Sequence, residues 1–422
     1  MATDQTFVIV GASLAGAKAA ETLRAEGFDG RVVLIGEETE RPYERPMLSK
    51  EYLRGDTPAE KLYVHEEGFY GENDIELLTG TRVASLDAGA HEITLQDGSR
   101  MPYSRLLLAT GATPRRIPVP GAELQGVRYL RRMSDSDALR AAIKAASRVV
   151  VIGAGWIGSE VAASARQLGA EVAIVAPEAV PLVRVLGPQL GGVYRDLHAG
   201  HRVDLHLSTQ VEAIVGNGVA QGVRTTDGDL IEGDLVVVGV GVSPRDELAQ
   251  YAGLSLDNGI VVDEFLRTSA PDVFAAGDVA AAWNPMYNRR IRMEHWANAL
   301  NQGQTAGRNM RSQDSQITAY TKLPYFYSDQ YDLGMEYNGY ASDWDRVVIR
   351  GDLASREFLA FWLKDRRVLA GMNANVWDQG DGIKALVSSG AAVDPDRLAD
   401  LSIPLADLLS GPATKADGPS RG

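Results

Sequence analysis

The chain has 422 residues, 45% of them hydrophobic, a formal net charge of −14 and no cysteine. That length supports two or three domains, the acidic balance argues against broad nucleic-acid binding, and the missing thiols exclude internal dithiol chemistry. The longest apolar runs, such as 235–242, are only strand-length and the N-terminus enters a strand by Phe7 without a leader, so a cytoplasmic protein with no membrane attachment is expected.

The first predicted unit is strand, glycine turn, helix and strand. Val8-Ile9-Val10 breaks into Gly11-Ala12-Ser13-Leu14-Ala15-Gly16, a helix runs from about Leu14 to Glu26, Gly27 ends it, and Arg31 to Ile35 returns as a strand. A Pro- and Arg-rich stretch and a β-rich insert follow. Leu106-Leu107-Leu108-Ala109-Thr110-Gly111 is then another buried strand meeting glycine. Pro114, Pro118 and Pro120 resist both helix interiors and central strands, and mark a crossing into a second domain. There the unit repeats: strand 149–152, helix from about Ile157 to Gln167, a stop at Gly169, strand Val172 to Val175, and a closing run from Leu235 to Gly241. Phe274-Ala275-Ala276-Gly277-Asp278 and a helix around Glu294 to Met310 return to the vocabulary of the first domain. Alternation from Tyr325 to Trp377 predicts a mainly antiparallel third unit.

The expected fold class is therefore α/β, with two Rossmann-like dinucleotide-binding domains, the second inserted in the first, and a mainly antiparallel α+β C-terminal domain; this order of domains resembles a glutathione-reductase-like architecture. The expected boundaries are 1–115 with 245–320 for the first domain, 116–244 for the second and 321–410 for the third, with 411–422 as a flexible tail rich in Pro, Gly, Ser and charge.

The second glycine signal is the sharper one. Gly153-x-Gly155-x-x-Gly158 has the full spacing: a tight turn, a close backbone approach to pyrophosphate, and close helix–strand packing. In the first signal Ser13 takes the middle glycine position. Glu37 follows the returning strand of the first unit, where a carboxylate holds ribose hydroxyls. The matching place in the second domain is Ala176, followed by Pro177 and then Glu178, with Arg184 the nearest cation. NADH remains the expected donor, with weaker exclusion of NADPH.

Further strings select a family. Pro42-Tyr43-x-Arg45-Pro46-x-Leu48-Ser49-Lys50, Ala109-Thr110-Gly111, Gly158-x-Glu160, Gly239-Val240-Gly241-Val242-x-Pro244, Ala275-Ala276-Gly277-Asp278, Glu294-His295-Trp296-x-Asn298-Ala299-x-x-Gln302-Gly303 and Pro324-Tyr325-Phe326-x-Ser328-Asp329-Gln330 resemble the NADH-dependent ferredoxin reductases of cytochrome P450 and Rieske oxygenase systems. The resemblance runs from about Phe7 to Ala385. It implies FAD in the first domain, NADH in the second and a [2Fe-2S] ferredoxin as acceptor, which in turn supplies a P450 or Rieske oxygenase.

By that resemblance Gly11, Ser13 and Gly16 lie at the FAD pyrophosphate and Glu37 at its ribose, with Asp278 at the ribityl or pyrophosphate portion and Leu14 and Ala15 among the cofactor-binding residues. Arg45 and Lys50 approach the flavin, Trp296 covers its ring region, and Glu160 faces the nicotinamide carboxamide. Lys50, Glu160 and Trp296 form the expected catalytic set. Val83, Ala109, Thr110, Gly111, Arg131, Gly277, Glu294 and His295 complete the FAD side, and Gly153, Gly155, Trp156, Ile157, Gly158 and Gly241 complete the NADH side. No metal site is expected.

A cation at Lys50 stabilises charge developing on the flavin. His295 stands outside the expected catalytic set, because hydride transfer to flavin needs no proton-relay base; an isolated histidine beside Trp296 is open to a packing role as well as a cofactor-side one. Arg289, Arg290 and Arg292 are the expected docking cations for an acidic ferredoxin. A monomer or weak homodimer is expected. Rubredoxin reductase, or an apoptosis-inducing-factor-like flavoprotein acting mainly through interactions, is the alternative reading.

Overall fold

Two short β-branched strands, Thr6–Val10 and Arg148–Ile152, break into Gly11 and Gly153 and sit at the middle of two parallel sheets. The computed structural model describes residues 5–312 and 316–409, and the chain divides into two units at Lys322/Leu323. The tail expected at 411–422 lies outside the described residues.

In the first unit, five parallel strands form one sheet in the order Val273–Ala275, Arg105–Leu108, Thr6–Val10, Arg31–Ile35 and Ile75–Leu78. Parallel strands covered on both faces need apolar side chains throughout. Val8, Ile9, Val32, Val33, Leu34, Leu106 and Leu107 are accordingly all fully buried. The fifth strand comes from beyond residue 270, so the chain returns to this sheet after building another.

That other sheet is also parallel and five-stranded: Asp204–Leu207, Glu171–Ala176, Arg148–Ile152, Leu235–Val238 and Val127–Arg128. Two short strands, Ala112–Pro114 and Val242–Pro244, pair antiparallel where the chain leaves the first sheet and where it comes back. Each crossing thus braces the other. Three-stranded antiparallel sheets over 83–102 and 211–232 attach to the two folds.

The helix Leu14–Ala25 follows the first glycine turn and packs closely on the helix Trp296–Arg311. A Cβ on Gly303 would come within 2.3 Å of the Ala15 carbonyl oxygen, and one on Gly307 within 2.5 Å of that of Ala19. Small residues at this crossing let two backbones touch, which draws the start of the late helix onto the first glycine turn. One feature of this region was not anticipated from the sequence: a hairpin, Ala280–Asn284 with Arg289–Arg292, separates Asp278 from that helix.

The second unit is an antiparallel sheet in the order Tyr325–Gln330, Leu333–Gly339, Arg367–Ala374, Glu357–Lys364 and Arg346–Asp352. Its core contains Leu359, Phe361 and Leu363, covered by Ile383, Leu386 and Val387 of the helix Gly380–Ser389. Among the described residues no helix is long and apolar enough to cross a membrane.

Candidate functional site

Both glycine turns use the same local geometry. Gly11 has φ +122°, and a Cβ there would stand 2.0 Å from the Ala109 carbonyl oxygen; Gly153 has φ +104°, and its Cβ would stand 2.5 Å from that of Gly239. Only glycine fits, for conformational and steric reasons together. The closing glycines Gly16 and Gly158 pack on the carbonyls of Gly11 and Gly153. Ser13 and Gly155 precede the two helices, with extended backbones and no side-chain cap. Each helix therefore presents its first amides outward, the arrangement that receives a pyrophosphate.

At the first turn lies a cavity of about 660 Å³. Of the residues expected at the cofactors, Gly11, Ser13, Leu14, Ala15, Glu37, Arg45, Ala109, Thr110, Gly111, Arg131, Ile157, Gly277, Asp278, Glu294, His295 and Trp296 line it. Its walls are rich in ion pairs. Arg131 Nη2 is 2.8 Å from Asp278 Oδ2, and Arg45 Nη2 is 2.6 Å from Glu38 Oε1. Arg45 Nη1 donates to the Arg131 carbonyl at 2.6 Å and to the Tyr43 hydroxyl at 2.9 Å, while Tyr43 in turn donates to Glu38. The Asp135 carboxylate accepts from the amides of Arg131 and Arg132 at 3.0 and 2.8 Å, which fixes the turn that carries both arginines.

Glu37 accepts from Arg245 at 2.5 Å and faces Arg132 at 3.4 Å. Burial alone would raise its pKa, but the hydrogen bond and charge of Arg245, joined by Arg132, bring it below the ordinary carboxylate value. Glu38 is likewise lowered: burial opposes ionisation, and Arg45 and Tyr43 overcome it. Desolvation has the opposite net result at Glu294, raising its pKa against the pull of Arg292 2.7 Å away. It also drives His295 down to about 4, so the ring is neutral at physiological pH.

The cavity fits a flavin dinucleotide on its own chemistry. Among the described residues, buried Arg45 Nε and Trp296 Nε1 have no hydrogen-bond partner, and both belong to side chains on its wall. Buried donors of this kind are costly unless a bound group accepts from them. Cations, helix-start amides and the carboxylates of Glu37 and Asp278 supply what pyrophosphate and sugar hydroxyls require.

Other expected site residues stand elsewhere. Lys50 and Glu160 are 3% and 4% exposed and are not part of the cavity lining. Lys50 Nζ lies 3.4 Å from Glu160 Oε2, to which Ser49 Oγ also donates at 2.5 Å, and Lys50 donates to the Pro46 carbonyl at 2.6 Å. This buried cluster joins the early Pro-rich segment to the helix Trp156–Gln167.

Val83 belongs to the apolar core of the first unit and is not among the residues that line the cavity. Gly16, Gly153, Gly155, Trp156, Gly158 and Gly241 are also outside the lining. Arg292 is turned inward, 8% exposed, bound to the Asp278 carbonyl at 3.0 Å and to Glu294; burial removes it from any docking surface. Arg290 donates to the Val262 carbonyl at 2.6 Å, and Arg289 alone of the three is exposed.

Sequence reading missed Glu38, Tyr43, Arg116, Tyr129, Arg132 and Arg245 on the cavity wall. Tyr43 stood inside a recognised string, and Arg245 directly follows another at Pro244. For Arg116 and Tyr129, whose guanidinium and ring stack at 4.3 Å, no sequence signal existed.

Comparison with known proteins identifies the family. Residues 5–303 match the pyridine nucleotide-disulphide oxidoreductase family, and residues 325–409 match the reductase C-terminal family. The chain is 37% identical to putidaredoxin reductase of Pseudomonas putida, with 99% of each chain covered. It is 39% identical to the ferredoxin–NAD(+) reductase component of the anthranilate 1,2-dioxygenase system of Burkholderia cepacia, covering 96% of this chain and 99% of that one. The structure of the covalent putidaredoxin reductase–putidaredoxin complex superposes with a TM-score of 0.92 at 36% identity, over 97% of this chain and 99% of that one. The chain belongs to the pyridine nucleotide-disulphide oxidoreductase family, in its branch of FAD-containing, NADH-dependent ferredoxin reductases.

Proposed function

We propose that the chain takes electrons from NADH at the second glycine turn, carries them through FAD in the cavity, and delivers them to a [2Fe-2S] ferredoxin that supplies a cytochrome P450 or Rieske oxygenase. One observation carries this reading. Ile157 sits at the start of the helix that follows the second turn, yet it lines the same cavity as Arg45 and Trp296. The two dinucleotide folds therefore open onto one space, as a hydride acceptor and its donor require.

FAD, when bound, supplies two-electron acceptance from NADH and single-electron release to the iron–sulfur carrier. Each residue of this chain has a narrower task. The amides at Leu14 and Ala15 and the guanidinium of Arg131 hold the pyrophosphate, with Glu37 and Asp278 accepting from hydroxyls. Trp296 and Ile157 are the apolar walls that keep water from the flavin and orient the nicotinamide. Glu160 and Lys50 act from their buried pair, where each fixes the other's position beside the seam between the folds. Arg289 is the exposed cation we assign to ferredoxin docking.

Two measurements test this reading. Denaturing release should yield about one FAD per chain, and initial rates should be higher with [2Fe-2S] ferredoxin than with rubredoxin. Bound FMN, no flavin, or faster reduction of rubredoxin would overturn it.

A further inference from the structure

The second dinucleotide fold lacks the device that usually reads the adenosine ribose, a carboxylate at the end of the second strand. Its strand Glu171–Ala176 ends on an alanine that is fully buried and packed in an apolar cluster with Val149, Val151 and Val203. The first carboxylate beyond it is Glu178. Its Oε1 lies 2.7 Å from Arg184 Nη2, with the two side chains 23% and 82% exposed.

The segment carrying this pair is tied to the glycine turn. The Leu182 amide donates to the Ala154 carbonyl at 3.0 Å, inside Gly153–Gly158, and the Ser208 amide donates to the Glu178 carbonyl at 2.9 Å. A dinucleotide whose pyrophosphate sits at the turn therefore extends its adenosine toward the end of that strand and the 177–184 segment. The acid there is already held by a cation, and that cation is mostly in solvent.

The chemistry of the two groups differs at the ribose 2′ position. A carboxylate accepts from 2′ and 3′ hydroxyls but repels a 2′-phosphate, whereas a guanidinium binds phosphate through paired N–H donors. An exposed ion pair is weak, so Arg184 can exchange Glu178 for a phosphate at little cost.

We infer that Glu178 and Arg184 form the adenosine 2′ end of the second site, and that this chain uses NADPH as well as NADH, Glu178 reading the 2′ hydroxyl and Arg184 the 2′ phosphate. The inference rests on the second turn being the dinucleotide site proposed above.

The test uses the flavin-loaded full chain, with Arg184→Leu and Glu178→Gln beside the wild type. Steady-state kcat/KM is measured with NADH and NADPH, and calorimetry follows adenosine 5′-monophosphate and adenosine 2′,5′-bisphosphate. NADPH should reach within about 10-fold of NADH in the wild type. Arg184→Leu should lower the NADPH:NADH ratio about 10-fold and weaken the bisphosphate by a similar factor, while Glu178→Gln should raise the ratio by roughly 5-fold. Bisphosphate affinity and ratio unchanged in Arg184→Leu, with the monophosphate still competing against NADH, would overturn the inference and leave the site reading intact. Failure of both nucleotides to compete with NADH would overturn the site reading as well.

Discussion

The pair Lys50 and Glu160 links residue chemistry to the joining of the two folds. Both side chains are almost fully out of solvent, where an ion of either sign is costly unless it is paired. Removing Lys50 takes the counter-ion from a buried carboxylate that keeps its hydrogen bond from Ser49, whereas replacing both ions with apolar groups of similar volume is close to neutral. Lys50→Met should therefore destabilise the flavoprotein by about 3 kcal/mol, and the double variant Lys50→Met, Glu160→Leu should recover most of that loss in a urea titration. Rapid-mixing reduction by NADH should stay slow in both, because stability returns while the positioning of the seam does not. Equal stability of the single and double variants would contradict this expectation, because the second replacement would then recover nothing.

At the level of elements, the two strand–turn–helix units assign different work to successive glycines. A Cβ on Gly158 would meet the Gly153 carbonyl oxygen at 2.2 Å, but one on Gly155 would meet nothing within 4 Å. Gly158 thus serves packing, and Gly155 leaves room for a ligand. Gly155→Asp should raise the KM for NADH by about 100-fold with flavin content intact, whereas Gly158→Ala should lower the yield of folded protein. Loss of flavin from Gly155→Asp would mean that the two nucleotide sites are not separately built.

Much of this was legible in the sequence because glycine, β-branched residues and helix stops act locally. The strand Arg31–Ile35 and the ends of both first-turn helices fall where propensity and Gly27 or Gly169 put them. The hairpin 280–292 was not legible. Its first strand, Ala280–Asn284, is mostly alanine, and the hairpin is held by pairing with Ile260–Val262 about 20 residues earlier. The inward turn of Arg292 was equally hidden, since a charge run reads as surface until a carbonyl and Glu294 are placed beside it. Ala176 shows a third limit: its absence of charge was visible, but its membership of an apolar cluster depended on tertiary packing.

Over the whole molecule, the family's scaffold is retained without thiols. The family is named for pyridine nucleotide–disulphide chemistry, in which a dithiol beside the flavin passes an electron pair onward. This chain has no cysteine in its 422 residues. It therefore has no thiol to attack a disulfide, and thiol–disulfide exchange needs a thiolate. With FAD bound, electron pairs taken from NADH would pass to an external carrier rather than to a thiol pair, one at a time where that carrier is a [2Fe-2S] centre. Low-molecular-weight disulfides should then be reduced at below about 1% of the ferredoxin rate, and stoichiometric N-ethylmaleimide at neutral pH should leave ferredoxin reduction unaltered. Both are read from NADH consumption in the presence and absence of carrier. Efficient disulfide turnover without ferredoxin would contradict this route, because it would require a reducing group that the chain does not contain.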